Sequence, residues 1–137
     1  MTVACAGCKC GAVEVEISAP VEVAVNCHCT MCRSINGSAF STYAPLASST
    51  VRVVKGSESL SSYQVTSGAR KHWCQSCGTP LFNTNAKYPD RTMFYYGALG
   101  DHVVLAPRAN IYCSSKLPWV DSLQQIKSYD EARSTPA

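Results

Sequence analysis

Seven of the nine cysteines fall in three short clusters: Cys8-Lys-Cys10-Gly11, Cys27-His-Cys29-Thr-Met-Cys32-Arg33 and Cys74-Gln-Ser-Cys77-Gly78. Deprotonated thiols are soft ligands, and zinc gathers them into a tetrahedron with Zn–S near about 2.3 Å. Two short chelating loops brought together supply such a set, so Cys8 and Cys10 with Cys74 and Cys77 make four thiolates for a structural zinc. Gly78, directly after Cys77, lets the chain turn at positive φ and face its amides to the sulfurs. Buried reduced cysteines behaving as small hydrophobes are the competing explanation, but that does not account for two chelating pairs.

The middle cluster offers three thiols and no obvious fourth partner. Three protein ligands and one open position is the pattern of a catalytic zinc, which acts as a Lewis acid and favours a substrate thiol in its nucleophilic form. Cys27, Cys29 and Cys32 are therefore the candidate catalytic residues, acting through a second zinc ion. His28 sits between two of them. In an extended segment its side chain points away from the metal, which gives it a packing or surface role. Cys5 and Cys113 stand apart from the clusters.

Positioning these thiols requires a framework, and its pattern is mainly β. Val13, Val15 and Ile17 alternate with Glu14 and Glu16 over Ala12–Ile17, the signature of a half-buried strand. Val21–Val25 repeats the pattern after Pro20, and β-prone runs recur at Val51–Val54, Leu60–Val65, Met93–Tyr96 and Val103–Leu105. Gly, Ser, Pro and Asn separate these runs. The serine-rich stretch Ser57–Ser67 reads as a turn or loop. Helical periodicity is confined to weak candidates after Cys29 and around Asp121–Ile126. The expected organisation is one zinc-built domain over residues 1–127 and a frayed polar tail over 128–137.

A chain of 137 residues fits one core, and an odd number of cysteines cannot all pair within the chain. No apolar run approaches the roughly 20 residues that span a bilayer, and the N-terminus lacks a secretory pattern. The expected setting is a reducing cytoplasmic compartment, without membrane partners. Net charge is +3, with Lys and Arg scattered singly apart from Arg70-Lys71, so no basic stripe points to nucleic acid.

Gly7-Cys8-Lys-Cys10-Gly-Ala-Val13, Cys27-His-Cys29-Thr-Met-Cys32-Arg33, Gly37-Ser38-Ala-Phe40, Cys74-Gln-Ser-Cys77-Gly-Thr-Pro80 and Pro118-Trp119 occur in the order that resembles the glutathione-dependent formaldehyde-activating enzyme family. Its wider superfamily includes centromere protein V. The resemblance implies an Mss4-like β-tent of several small antiparallel sheets organised around zinc. It implies that Cys8, Cys10, Cys74 and Cys77 hold the structural ion and that Cys27, Cys29 and Cys32 form the reactive site. The implied reaction is of the carbon–sulfur lyase type, joining formaldehyde to the thiol of glutathione to give S-hydroxymethylglutathione. Asn110 is a departure, because such proteins commonly carry His before the pair seen here as Ile111-Tyr112.

Arg33, Arg70 and Lys71 are available for the carboxylates of a glutathione-like substrate, although isolated basic residues are mostly solvated. The rival reading is a non-catalytic zinc module that binds another protein, which a fourth protein ligand at the second zinc would favour. Ile111-Tyr-Cys113 faintly resembles a late tyrosine–cysteine nucleophile of methionine sulfoxide reductases. Cys113 is expected not to be a zinc ligand.

Overall fold

The computed structural model describes residues 4–133. The first sheet has three strands in the order β1 (Ala4–Gly7), β2 (Glu14–Ile17) and β5 (Val51–Lys55). The second has seven: β10 (Ala109–Ile111), β3 (Val25–Cys27), β4 (Ser41–Ala47), β9 (Arg91–Tyr95), β8 (Pro80–Asn85), β7 (Ala69–Cys74) and β6 (Leu60–Gln64), in that order. The strands pair antiparallel except β10 with β3, which run parallel.

The β2 alternation does what its pattern dictates. Val13, Val15 and Ile17 are fully buried, while Glu16 and Glu14 face out and pair with Arg52 and Lys55 of β5 at 2.6 and 3.2 Å. In the larger sheet Phe82 pairs with Phe94, and both enter the core with Leu46, Leu81 and Leu99. Because successive side chains point to opposite faces, the next pair, Asn83 with Met93, stands on the other face. That face carries the only α-helix among the described residues, α1 (Thr30–Asn36).

Two β-prone runs are not strands. Only Val25 of Val21–Val25 enters a ladder, and Val103–Leu105 is irregular, with Val104 90% exposed. The serine-rich stretch is also more ordered than a loop: Ser57–Ser59 is a 3₁₀ turn that leads into β6. The second helical candidate is 3₁₀, over Pro118–Gln125. Residues 128–133 are exposed, and the rest of the expected frayed tail, 134–137, lies outside the described residues.

Candidate metal centres

All nine cysteines are free of disulfides, and seven form two clusters in space. The first joins the turn after β1 to the turn after β7. Each turn is closed by backbone hydrogen bonds, Gly11 N to Cys8 O at 3.2 Å and Gly78 N to Cys74 O at 2.8 Å. Gly11 and Gly78 take φ of 79° and 77°, a left-handed conformation that costs glycine nothing. Cys8, Cys10, Cys74 and Cys77 thereby bring four sulfurs within 4.8 Å of one another.

These sulfurs fit a tetrahedral zinc. Four ligands about 2.3 Å from one ion stand about 3.8 Å apart, and the Cys8–Cys10 and Cys10–Cys74 sulfur separations are 3.6 and 3.8 Å. The sulfurs also receive the hydrogen bonds that metal-bound thiolates need: Val13 N donates to Cys8 Sγ at 3.2 Å and Thr79 Oγ1 lies 3.1 Å from Cys77 Sγ. The Thr79 hydroxyl, with its own amide, pulls the Cys77 thiol down to about 5. The same hydroxyl accepts from Lys9 N at 3.0 Å, so one side chain ties the two chelating turns together. Thr79 was visible in the sequence motif, but nothing there gave it a role.

The second cluster holds Cys27, Cys29 and Cys32, whose sulfurs lie within 4.8 Å of one another. Cys27 ends β3, a strand held between β4 and β10. Cys29 is the N-cap of α1, its Sγ accepting from Cys32 N at 3.2 Å, and Cys32 follows in the first turn. Gly37, at φ 59°, ends the helix by donating to Arg33 O. Strand end, cap and first turn thus aim three sulfurs at one point. Hydrogen bonding from Cys32 outweighs burial and holds the Cys27 thiol down to about 6. Among the described residues no fourth Cys, His, Asp or Glu joins this group. Three thiols with room for one further ligand are the donor set of an open zinc site.

The cluster lies in a cleft of about 410 Å³. Met31, Tyr43, Asn83, Tyr88, Met93 and Tyr112 are among the other residues that line it. Sequence reasoning missed this wall, because only the pairing of β4, β9, β8 and β7 brings those positions together. Burial, reinforced by the nearby sulfurs of Cys27 and Cys32, pushes the Tyr43 hydroxyl well above its ordinary range, so it keeps its proton. Tyr112 adopts φ 57°, a left-handed conformation that costs a bulky residue about 1–2 kcal/mol.

His28 is buried, packs its ring at a tilt against Phe40 with centroids 5.0 Å apart and places Nε2 3.1 Å from Asn110 Oδ1, outside the sulfur group. Asn110 Oδ1 also accepts from Asn26 Nδ2 at 3.1 Å, and Asn26 Oδ1 accepts from Thr42 Oγ1 at 2.7 Å. The chain's departure at position 110 therefore has a structural purpose, bracing both sides of β3. Cys113 is exposed, with Sγ 3.4 Å from Asn110 O, and belongs to neither cluster. Of the three basic candidates, Arg70 donates to Ser62 and Gln64, Lys71 donates to Ile35 O, and none, Arg33 included, lines the cleft.

Residues 3–115 match the family described as glutathione-dependent formaldehyde-activating enzyme, a span that holds all seven clustered cysteines. The chain is also similar to a protein of Rhodobacter sphaeroides known from a crystal structure. The two are 27% identical, with a TM-score of 0.62 over 73% of this chain and 90% of that one. Among the described residues no helix is long and apolar enough to cross a membrane.

Proposed function

Because the chain belongs to the glutathione-dependent formaldehyde-activating enzyme family, we propose that it is a zinc enzyme of carbon–sulfur bond chemistry working at Cys27, Cys29 and Cys32. Cys8, Cys10, Cys74 and Cys77 would hold a second, structural zinc ion. The proposed unit is residues 1–127, with 128–137 as an appended tail. The observation that carries the reading is the three-sulfur set that lines a cleft and that no fourth Cys, His, Asp or Glu among the described residues joins. A four-ligand set would have suited the rival reading of a non-catalytic interaction module.

The reaction joins a thiol to an aldehyde. A bond forms between sulfur and the carbonyl carbon, the C=O π bond opens, and the thiol proton ends on the oxygen; the reverse is an elimination, and neither direction needs an oxidant. The family description makes glutathione and formaldehyde the reference pair. Bound zinc supplies Lewis acidity at an open position beside the three sulfurs. Tyr43, kept protonated by its surroundings, can donate from Oη to the oxygen that becomes the hydroxyl. Met31 and Met93 add apolar surface to the wall of the cleft, and Asn83 offers an amide that would orient the substrate.

Magnetisation-exchange NMR of thiol, formaldehyde and hydroxymethyl thioether at equilibrium tests the reading. Protein carrying two zinc ions should accelerate the exchange, and Cys29→Ser should abolish the acceleration while remaining folded. Exchange no faster than in buffer, across several thiols, would sink it.

A further inference from the structure

We propose that the cleft takes a small uncharged thiol and its aldehyde adduct, and disfavours thiols that carry carboxylates. The inference rests on the thiol reading above and adds the class of thiol. It starts from the wall of the cleft. Tyr43, Asn83, Asn85 and Tyr88 present hydroxyls and amides, Met31 and Met93 present apolar surface, and no Lys, Arg or His is among the lining residues described. Arg33 beside Cys32, Arg70 beside Ala69 and Lys87 beside Tyr88 flank this wall in the sequence without lining it. Arg70 gives its guanidinium to Ser62 Oγ at 2.8 Å and Gln64 Oε1 at 2.7 Å. Lys71 donates to Ile35 O and lines a separate hollow with Tyr63 and Trp73. The segments outside the described residues, 1–3 and 134–137, contain no Lys or Arg.

Charge then decides the selectivity. Three thiolates around a dication leave the site at about −1, and a fourth thiolate takes it to about −2. A carboxylate about 6 Å from a unit negative charge, at an effective dielectric constant near 20, loses roughly 100-fold in affinity before salt screening unless a cation compensates it. A neutral substituent meets no such penalty, and the amides and hydroxyls of the wall suit it. A glutathione-like ligand has two carboxylates, and the lining offers neither of them an ion-pair partner.

The test uses protein loaded with cobalt(II), whose visible and thiolate charge-transfer bands report ligation directly. It is titrated with methyl 3-mercaptopropionate, 3-mercaptopropionate and glutathione, each Kd being expressed per thiolate. The ester should bind at least about 10-fold more tightly than either acid, and the gap should shrink in 1 M salt. Tyr88→Lys places a cation at a rim position that is 55% exposed. It should tighten 3-mercaptopropionate by about 10-fold and leave the ester within a factor of two or three. Equal or tighter binding of the acids by the parent, or an unchanged gap in Tyr88→Lys, would overturn the selectivity and leave the thiol reading standing. If no thiol moved the bands, that reading would fail and take this one with it.

Discussion

Replacing one sulfur by oxygen should have opposite consequences in the two clusters. Cys74 is fully buried within the core cluster, so Cys74→Ser both breaks a four-thiolate set and buries a hydroxyl there. Zinc bound to such a set contributes about 10–16 kcal/mol to folding small zinc domains. Weakening even a quarter of that removes about 3–4 kcal/mol, and an unsatisfied buried hydroxyl adds about 1–3 kcal/mol. The total of roughly 4–7 kcal/mol approaches the whole stability of a domain of this size, about 5–15 kcal/mol. Cys29 is half-buried and caps α1 by accepting from Cys32 N. Serine is among the best residues at that position, so Cys29→Ser should keep the cap and change stability by under about 1 kcal/mol. Thermal melts and zinc counts under reducing conditions decide the matter. Cys74→Ser should be largely unfolded, whereas Cys29→Ser should melt near the parent with one zinc fewer. Equal destabilisation by the two substitutions would refute the assignment of one structural and one reactive cluster.

Tyr43→Phe should keep both zinc ions and the affinity for thiol but lower turnover roughly 10²-fold, since it removes only the hydroxyl that donates a hydrogen bond to the developing oxyanion; unchanged turnover would remove Tyr43 from the reaction. Cys113→Ala should leave zinc content and thiol binding at parental values, because the Cys113 sulfur lies outside both clusters; loss of zinc from the second site would identify it as a ligand. Gly56→Ala should cost about 2–4 kcal/mol in a denaturant titration, because Gly56 has φ +76° and a Cβ there would sit 1.8 Å from Ala12 O. A neutral result would mean that the β5 end and the β2 entry shift apart at little cost.

The chelating turns were legible because their chemistry is local. Spacing within Cys8–Gly11 and Cys74–Gly78, with a glycine where the chain must turn, is covalent information. The face shared by Val13, Val15 and Ile17 was equally readable, since β2 has a core side and a solvent side. β7 and β8 were not, because their sheet is covered by the core on one face and faces α1 and the cleft on the other. Ala69-Arg-Lys-His-Trp-Cys74 therefore mixes polar and apolar residues without a period of two. Val103–Leu105 misled in the other direction, since β-prone residues form a strand only where a partner edge is free. The cleft wall was invisible because it depends on register: Asn83 meets Met93, and Tyr43 meets Tyr95, only once β9 lies between β4 and β8. Position 110 reads as a departure in the sequence and becomes intelligible only beside His28 and Asn26.

The most direct test of the account is X-ray absorption at the zinc edge of the two-zinc protein, before and after addition of a small thiol. Seven cysteine ligands shared between two ions give an average of about 3.5 sulfurs per zinc with one lighter scatterer at the second site, rising to about 4 when the thiol binds. An average of 4 before any thiol is added, or a coordination shell that thiol leaves unchanged, would contradict the open three-cysteine centre.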